Sequence, residues 1–245
     1  MPKNGRLNKG NVGFSMPVDA PLYYKPPIYY KDVEAIAFSY ETDDDAVLDI
    51  LPEGLEIDSP AIAHLTFIKY PFSTLGPYEE VILGVSCLWQ GNPRSYIAHI
   101  VLNTDMPMAA GREIWGFPKK LADITFEKEG DLIKGTMDRP RGHRICTGII
   151  RLETPMELVQ GPPVPGMSLR VIPSPEEGRE PSLMELIEVP PGGTTKEVWQ
   201  GHGFAEFNSA STIDPWHRLA VIKPLMAVYR RYDMILNYGK VVKRF

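Results

Sequence analysis

Gly111-Arg112-Glu113-Ile114-Trp115-Gly116-Phe117-Pro118-Lys119-Lys120-Leu121 places two adjacent lysines behind a proline, inside a hydrophobic run. An ordinary lysine pair keeps its ammonium heads in water and lays its stems over apolar surface. The apolar flanks make a second reading open here. An amine attacks a carbonyl at neutral pH only when its ammonium form is disfavoured, by desolvation or by a second cation close by. Lys119 and Lys120 offer both conditions. The product of such an attack is a protonated imine, an electron sink for a carbon–carbon bond breaking next to it.

The same stretch resembles the G-R-E-x-x-x-[YF]-P-K-K-L segment of the acetoacetate decarboxylase family, whose activated lysine is a standard example of this chemistry. Other pieces follow in the family's order. Tyr40-Glu41-Thr42-Asp43 and then Leu51-Pro52-Glu53-Gly54-Leu55-Glu56-Ile57 are similar to its Y-x-T-D and P-x-x-L-E-I. Leu169-Arg170-Val171-Ile172-Pro173, Met184-Glu185-Leu186 and Glu197-Val198-Trp199-Gln200-Gly201 are similar to its L-K-x-I-P, C-E-L and E-x-W-x-G. The resemblance covers most of the chain after residue 30.

The resemblance implies a mostly antiparallel β fold of the α+β class, a barrel or cone with a few short helices. It implies an imine on Lys119, with Lys120 as the cation that keeps its neighbour uncharged. No metal or other cofactor is needed for that chemistry. The substrate class is a small keto acid, joined by an aldehyde if the reaction is an aldol condensation, and a homo-oligomer is expected. A proton relay is required at each stage of imine formation and hydrolysis. Glu80, in Tyr78-Glu79-Glu80, falls where the family frame puts a pocket carboxylate, although Glu79 and Glu80 also read as solvated residues of a hairpin tip. Tyr78, Trp115 and Phe117 are expected to wall the substrate pocket. Arg112 and Glu113 are expected to pair and brace the lysine loop.

Departures from the family pattern bear on the reaction. Val33 and Leu65 stand where decarboxylases of this family place an arginine and an acid. Near the C-terminus, Met234-Ile235-Leu236-Asn237-Tyr238-Gly239 resembles the closing I-I-L-P segment, with Tyr238 as an added phenol. Divergent members condense pyruvate with aldehydes and dehydrate the product, and Tyr238 is a candidate acid or base for that step; packing at a strand end is its other reading. The expectation is therefore a carbon–carbon lyase, an aldolase-dehydratase first, with a β-keto acid decarboxylase and a noncatalytic small-ligand-binding barrel as alternatives.

With 245 residues the chain is long enough for a substantial core. A net charge of −5 and the absence of a basic stripe argue against nucleic acid as a partner. No signal peptide or membrane-length apolar run is evident, so a cytoplasmic location and no membrane partner are expected. Cys87 and Cys146 are too few for a disulfide framework and read as core. The five histidines show no metal-ligand spacing.

Frequent Pro and Gly divide the chain into short alternating or β-branched runs, the pattern of strands. Strands are expected over 33–40, 61–70, 81–90, 94–102, 122–128, 131–138, 143–152, 168–172, 182–189 and 194–199. Thr42-Asp43-Asp44-Asp45 supplies a cap and an acidic first turn for a short helix reaching Leu51 and stopped by Pro52, and Asp214-Pro215 opens another running through Val221. Residues 1–30 lack periodicity and read as an extended arm over the surface or a neighbouring subunit. Residues 31–245 read as one domain, with Gly161 to Gly166 as an internal connection.

Overall fold

The computed structural model describes residues 1–158, 164–190 and 192–245. Residues 161–163, the first half of the Gly161 to Gly166 connection, lie outside the described residues.

The alternating runs become strands of one sheet: β1 (Ile28–Glu41), β2 (Leu55–Glu56), β3 (Ile62–Tyr70), β4 (Phe72–Ser73), β5 (Tyr78–Trp89), β6 (Asn92–Leu102), β7 (Lys119–Leu121) and β8 (Asp123–Glu129) in the first half. The second half adds β9 (Leu132–Asp138), β10 (Arg144–Pro155), β11 (Gly166–Ile172), β12 (Leu183–Val189), β13 (Gly193–Phe207), β14 (Lys223–Leu236) and β15 (Lys240–Arg244). The order is β15-β12-β11-β6-β5-β3-β1-β14-β13-β10-β9-β8, with β2, β4 and β7 attached to β5, β1 and β6. Pairing is antiparallel except where β6 meets β7 and β11. The expected barrel or cone takes the form of an open, curled antiparallel sheet. Phe67 of β3 lies directly against the backbone of Gly135 in β9 and Gly148 in β10, so the sheet folds back over itself.

Two cores follow from the period of two along each strand. Ile36, Phe38 and Tyr40 of β1, Leu65 and Phe67 of β3, and Val81, Leu83 and Val85 of β5 fill the first, inside the curl. Val33 and Ala35 of β1, Ile68 and Tyr70 of β3, and Tyr78 of β5 face the second, which Tyr23, Ala110, Trp115 and Ile187 cover. Cys87 and Cys146 are buried as free thiols, and burial pushes the Cys87 thiol up to about 11.

Helix α1 (Asp44–Leu48) starts as its sequence directs: Asp43 accepts from the Ala46 N–H at 2.8 Å, and Asp44 and Asp45 meet the positive end of the helix. The helix expected from Asp214 to Val221 does not form; the segment makes one 3₁₀ turn, Trp216–Arg218. The Asp214 carboxylate is drawn instead to Lys120 and Arg139, while Trp216 and Leu219 are pulled into the first core. Strand β1 begins at Ile28 rather than Val33, so the last residues of the presumed arm belong to the sheet. Among the described residues no helix is long and apolar enough to cross a membrane.

Candidate active site

The lysine pair is delivered by α2 (Asp105–Ala110), which runs straight into a π turn, Gly111–Trp115. Gly116 ends the turn in the left-handed conformation, φ 72°, with the backbone of Arg170 pressed so close that a Cβ would lie 2.4 Å from its Cα. The Phe117 N–H then donates to the Gly111 carbonyl at 3.0 Å. Lys119 enters β7, whose parallel register sets Lys119 beside Ile100 and Lys120 beside Val101. Ile100 belongs to the second core and Val101 to the first. Successive strand residues face opposite sides, so the two lysines part company.

Lys119 runs inward. Its stem lies along Gly111, where an added Cβ would come within 2.6 Å of Cδ. Its Nζ stands 2.7 Å from Glu80 Oε2, and the two side chains are only 5% and 4% exposed. The contact is an ion-pair approach out of line for a hydrogen bond, which leaves Oε2 without an aligned donor. Glu80 Oε1 accepts from the Tyr70 hydroxyl at 3.0 Å. The rings of Tyr78 and Phe117 each lie 5.7 Å from the amine. Trp115 stacks behind Phe117, ring centroids 5.8 Å apart, and donates from Nε1 to the Asn237 carbonyl. Glu80 is thus a buried residue of β5, and the hairpin-tip alternative falls away.

Three tyrosines form the floor. Tyr70 lies 4.9 Å from Tyr30 and 4.4 Å from Tyr78, ring to ring. Burial pushes all three phenols well above their ordinary range, with the Glu80 charge adding to each, and does the same to Tyr232. They stay protonated at neutral pH and serve as donors. Of these, sequence reasoning found only Tyr78. Tyr30, Tyr70 and Tyr232 occupy sites on three other strands, and only the register that aligns those strands brings them together.

Lys120 has a different environment from the one expected. Its Nζ donates to the Ile213 carbonyl and to Asp214 at 2.9 Å, and Asp214, 1% exposed, also binds Arg139. The neighbouring cation is thereby paired on the far side of the strand, away from Lys119. Arg112 and Glu113 do not pair with each other. Arg112 Nη1 donates to the Lys119 carbonyl at 3.1 Å, and Glu113 accepts from the Tyr23 hydroxyl. Bracing of the lysine loop is carried by Arg112 alone, through the Lys119 carbonyl, while Glu113 is taken up by Tyr23.

Tyr238 is 51% exposed and lines a cavity of about 570 Å³ with Tyr23, Glu113 and Arg170, in which neither Lys119 nor Glu80 takes part. Val33 lies on the Lys119 face, whereas Leu65 lies on the opposite one, in the first core. Only the first of the two departures therefore alters the surroundings of Lys119.

Residues 15–245 match the sequence profile of the family described as Acetoacetate decarboxylase (ADC). Decarboxylase DEC1 of Cochliobolus heterostrophus is 30% identical over 238 residues, 93% of each chain. The crystal structure of acetoacetate decarboxylase from Legionella pneumophila superposes with a TM-score of 0.88 at 27% identity, covering 100% of this chain and 99% of that one. The enduracididine biosynthesis enzyme MppR, complexed with the condensation product of pyruvate and imidazole 4-carboxaldehyde, shares the fold at a TM-score of 0.80 and 20% identity, over 96% and 97% of the two chains. A buried lysine set on β7 by a π turn, in a sheet of this topology and under a profile spanning nearly the whole sequence, places the chain in the acetoacetate decarboxylase family.

Proposed function

We propose that the protein is a lyase that decarboxylates a β-keto acid through an imine on Lys119. The observation that carries this is the Lys119 amine, out of water and 2.7 Å from an equally buried carboxylate. In such a pair the proton can pass from nitrogen to Glu80 without leaving a net charge in the core. The free amine attacks the substrate carbonyl carbon, and the carbinolamine loses water to give a protonated imine. The bond to the carboxylate carbon then breaks, its electron pair entering the C=N system to form an enamine while carbon dioxide departs. Protonation of the enamine carbon and hydrolysis release a ketone and restore the amine. Glu80, with Oε2 unaligned to any donor and Oε1 held by Tyr70, is the group that accepts and returns protons. Tyr78 and Phe117 keep water from the nitrogen.

The decarboxylase relatives support this reading over aldol condensation. Tyr238, the side chain that suggested an aldol step, stands in another cavity. The test is borohydride reduction in the presence of acetoacetate. A mass increase on Lys119, lost in Lys119→Ala, together with carbon dioxide release, is expected. Binding without trapping would point to a noncatalytic ligand-binding protein, and an unsaturated keto acid formed from pyruvate plus an aldehyde would point to the aldolase.

A further inference from the structure

A cavity of about 560 Å³ lies on the Lys119 face of the sheet, lined by Ala35, Ala37, His64, Thr66, Arg230 and Tyr232 among others. Strand register ties it to the lysine. Arg230 pairs with Ala35, Ala35 with Ile68, and Ile68 with Glu80. Arg230 and Glu80 therefore share one row and one face, three strand spacings or roughly 14 Å apart at the backbone. The next row runs Val228, Ala37, Thr66, Ile82, Ile100, Lys119. The small side chains of Ala35 and Ala37 shape the Arg230 end of this cavity, and Ile68 fills the position between Ala35 and Glu80. Tyr232, two residues along β14 from Arg230 and paired with Val33, lines the same cavity.

The other charges of this region are already matched. Arg231 binds Asp32 and Glu197, and Asp233 binds Lys31 and Lys196. His64 is held between Ser39 and Ser86, at 2.9 Å from each, and burial with the nearby Arg230 charge keeps its ring neutral. Among the described residues Arg230 has no carboxylate within 4.0 Å. A guanidinium without an acid partner, at the rim of a cavity, suits an incoming carboxylate.

We propose that Arg230 receives a carboxylate at the end of the substrate remote from the carbonyl that Lys119 attacks, so that the site favours keto acids carrying a second, non-departing acid group. The span between Arg230 and the Lys119–Glu80 pair, shortened by the reach of the two side chains, exceeds acetoacetate. Chemistry points the same way: an arginine clamped on the departing carboxylate would stabilise the ground state, whereas one holding a remote acid contributes binding that survives into the transition state.

This inference rests on imine formation at Lys119, and the experiment separates the two. Wild type, Arg230→Met and Arg230→Lys are each reduced with borohydride over a range of 5-oxohexanoate and of its methyl ester, probes of one carbon skeleton that differ in charge and by the ester methyl. Acetoacetate serves as the short control, and capture on Lys119 is read by mass. Wild type is expected to half-saturate at an acid concentration about 10-fold or more below that for the ester. Arg230→Met removes that preference and Arg230→Lys retains part of it. The inference is overturned if wild type shows no preference, if Arg230→Met keeps it, or if acetoacetate is captured and neither longer probe is. Failure of all three compounds to label Lys119 overturns the imine reading itself.

Discussion

Lys119 and Lys120 are consecutive in the chain and point to opposite faces of the sheet, one onto Glu80 and the other onto Asp214. The charge of Lys120 is felt by His99, which burial in the first place and Lys120 in the second hold down to about 4. Replacing Lys120 by Met is therefore expected to raise the His99 titration, seen in the imidazole proton shifts. Asp214 keeps Arg139, so the stability loss should be about 1–3 kcal/mol by urea unfolding. Capture of acetoacetate on Lys119 is expected to persist in the variant. Loss of capture in a folded Lys120→Met protein would restore Lys120 as the group that keeps its neighbour uncharged.

How much of this was legible in the sequence depends on how local the signal is. The lysine segment, the strand alternation in β1, β3 and β5, and the start of α1 within Thr42 to Asp45 are set by near neighbours, and they were readable, whereas α1 stops at Leu48 short of the expected Leu51. Strand β14 was not, because only its middle, Ala227 to Tyr229, is buried: Ala227 and Tyr229 enter the first core and Val228 faces the other side, while exposed Lys223 to Met226 before them and Arg230, Arg231 and Asp233 after them leave no alternation to read. Its loss from view hid Tyr232 and Arg230. Asp214 was misread because an Asp-Pro pair announces a helix start, and only the folded chain brings Lys120 and Arg139 to that carboxylate. Adjacency in sequence likewise suggested that the two lysines act together, where the pleat of β7 separates them.

The buried Lys119–Glu80 pair makes the two residues energetically coupled. Lys119→Met leaves Glu80 as an unmatched carboxylate in the second core, and Glu80→Gln leaves the amine unmatched; each is expected to cost about 3–5 kcal/mol. The double variant is expected to recover most of that loss, because two neutral side chains need no counter-charge. Urea unfolding of the four proteins gives the coupling directly. Additive losses would mean that the two side chains are not mutually desolvated.

Gly111 is a second point at which the lysine can be disturbed without touching its amine. A methyl group there would meet Lys119 Cδ and Cε at 2.6 and 2.7 Å. Alanine is the better helix former by about 1 kcal/mol, so on propensity alone Gly111→Ala would stabilise the turn. Crowding of a packed stem works against it by about 1–3 kcal/mol. The clash is expected to prevail, with a lowered melting temperature and imine capture slowed about 10-fold or more as Nζ is displaced from Glu80. A more stable variant with undiminished capture would show that the stem has another path.

The phenols of Tyr30, Tyr70 and Tyr78 belong to the set of buried tyrosines that limits the fold at alkaline pH. Burial raises each above the value it has in the unfolded chain, near 10. Below that value both states are neutral and the contribution to stability is intact. As pH rises past it the unfolded chain ionises first, and stability falls by up to roughly 1.4 kcal/mol per pH unit for each phenol. Urea unfolding measured between pH 9 and 11 is expected to show this steep decline, and Tyr70→Phe, which removes one of eight raised phenols and the donor to Glu80 Oε1, should flatten it by roughly an eighth while lowering stability at pH 7. Phenolate absorbance from the cluster should emerge only with loss of the β-sheet circular dichroism. Ionisation of these tyrosines within a folded sheet would mean that water reaches the floor beneath Lys119, and the dry site required for the imine would be lost with it.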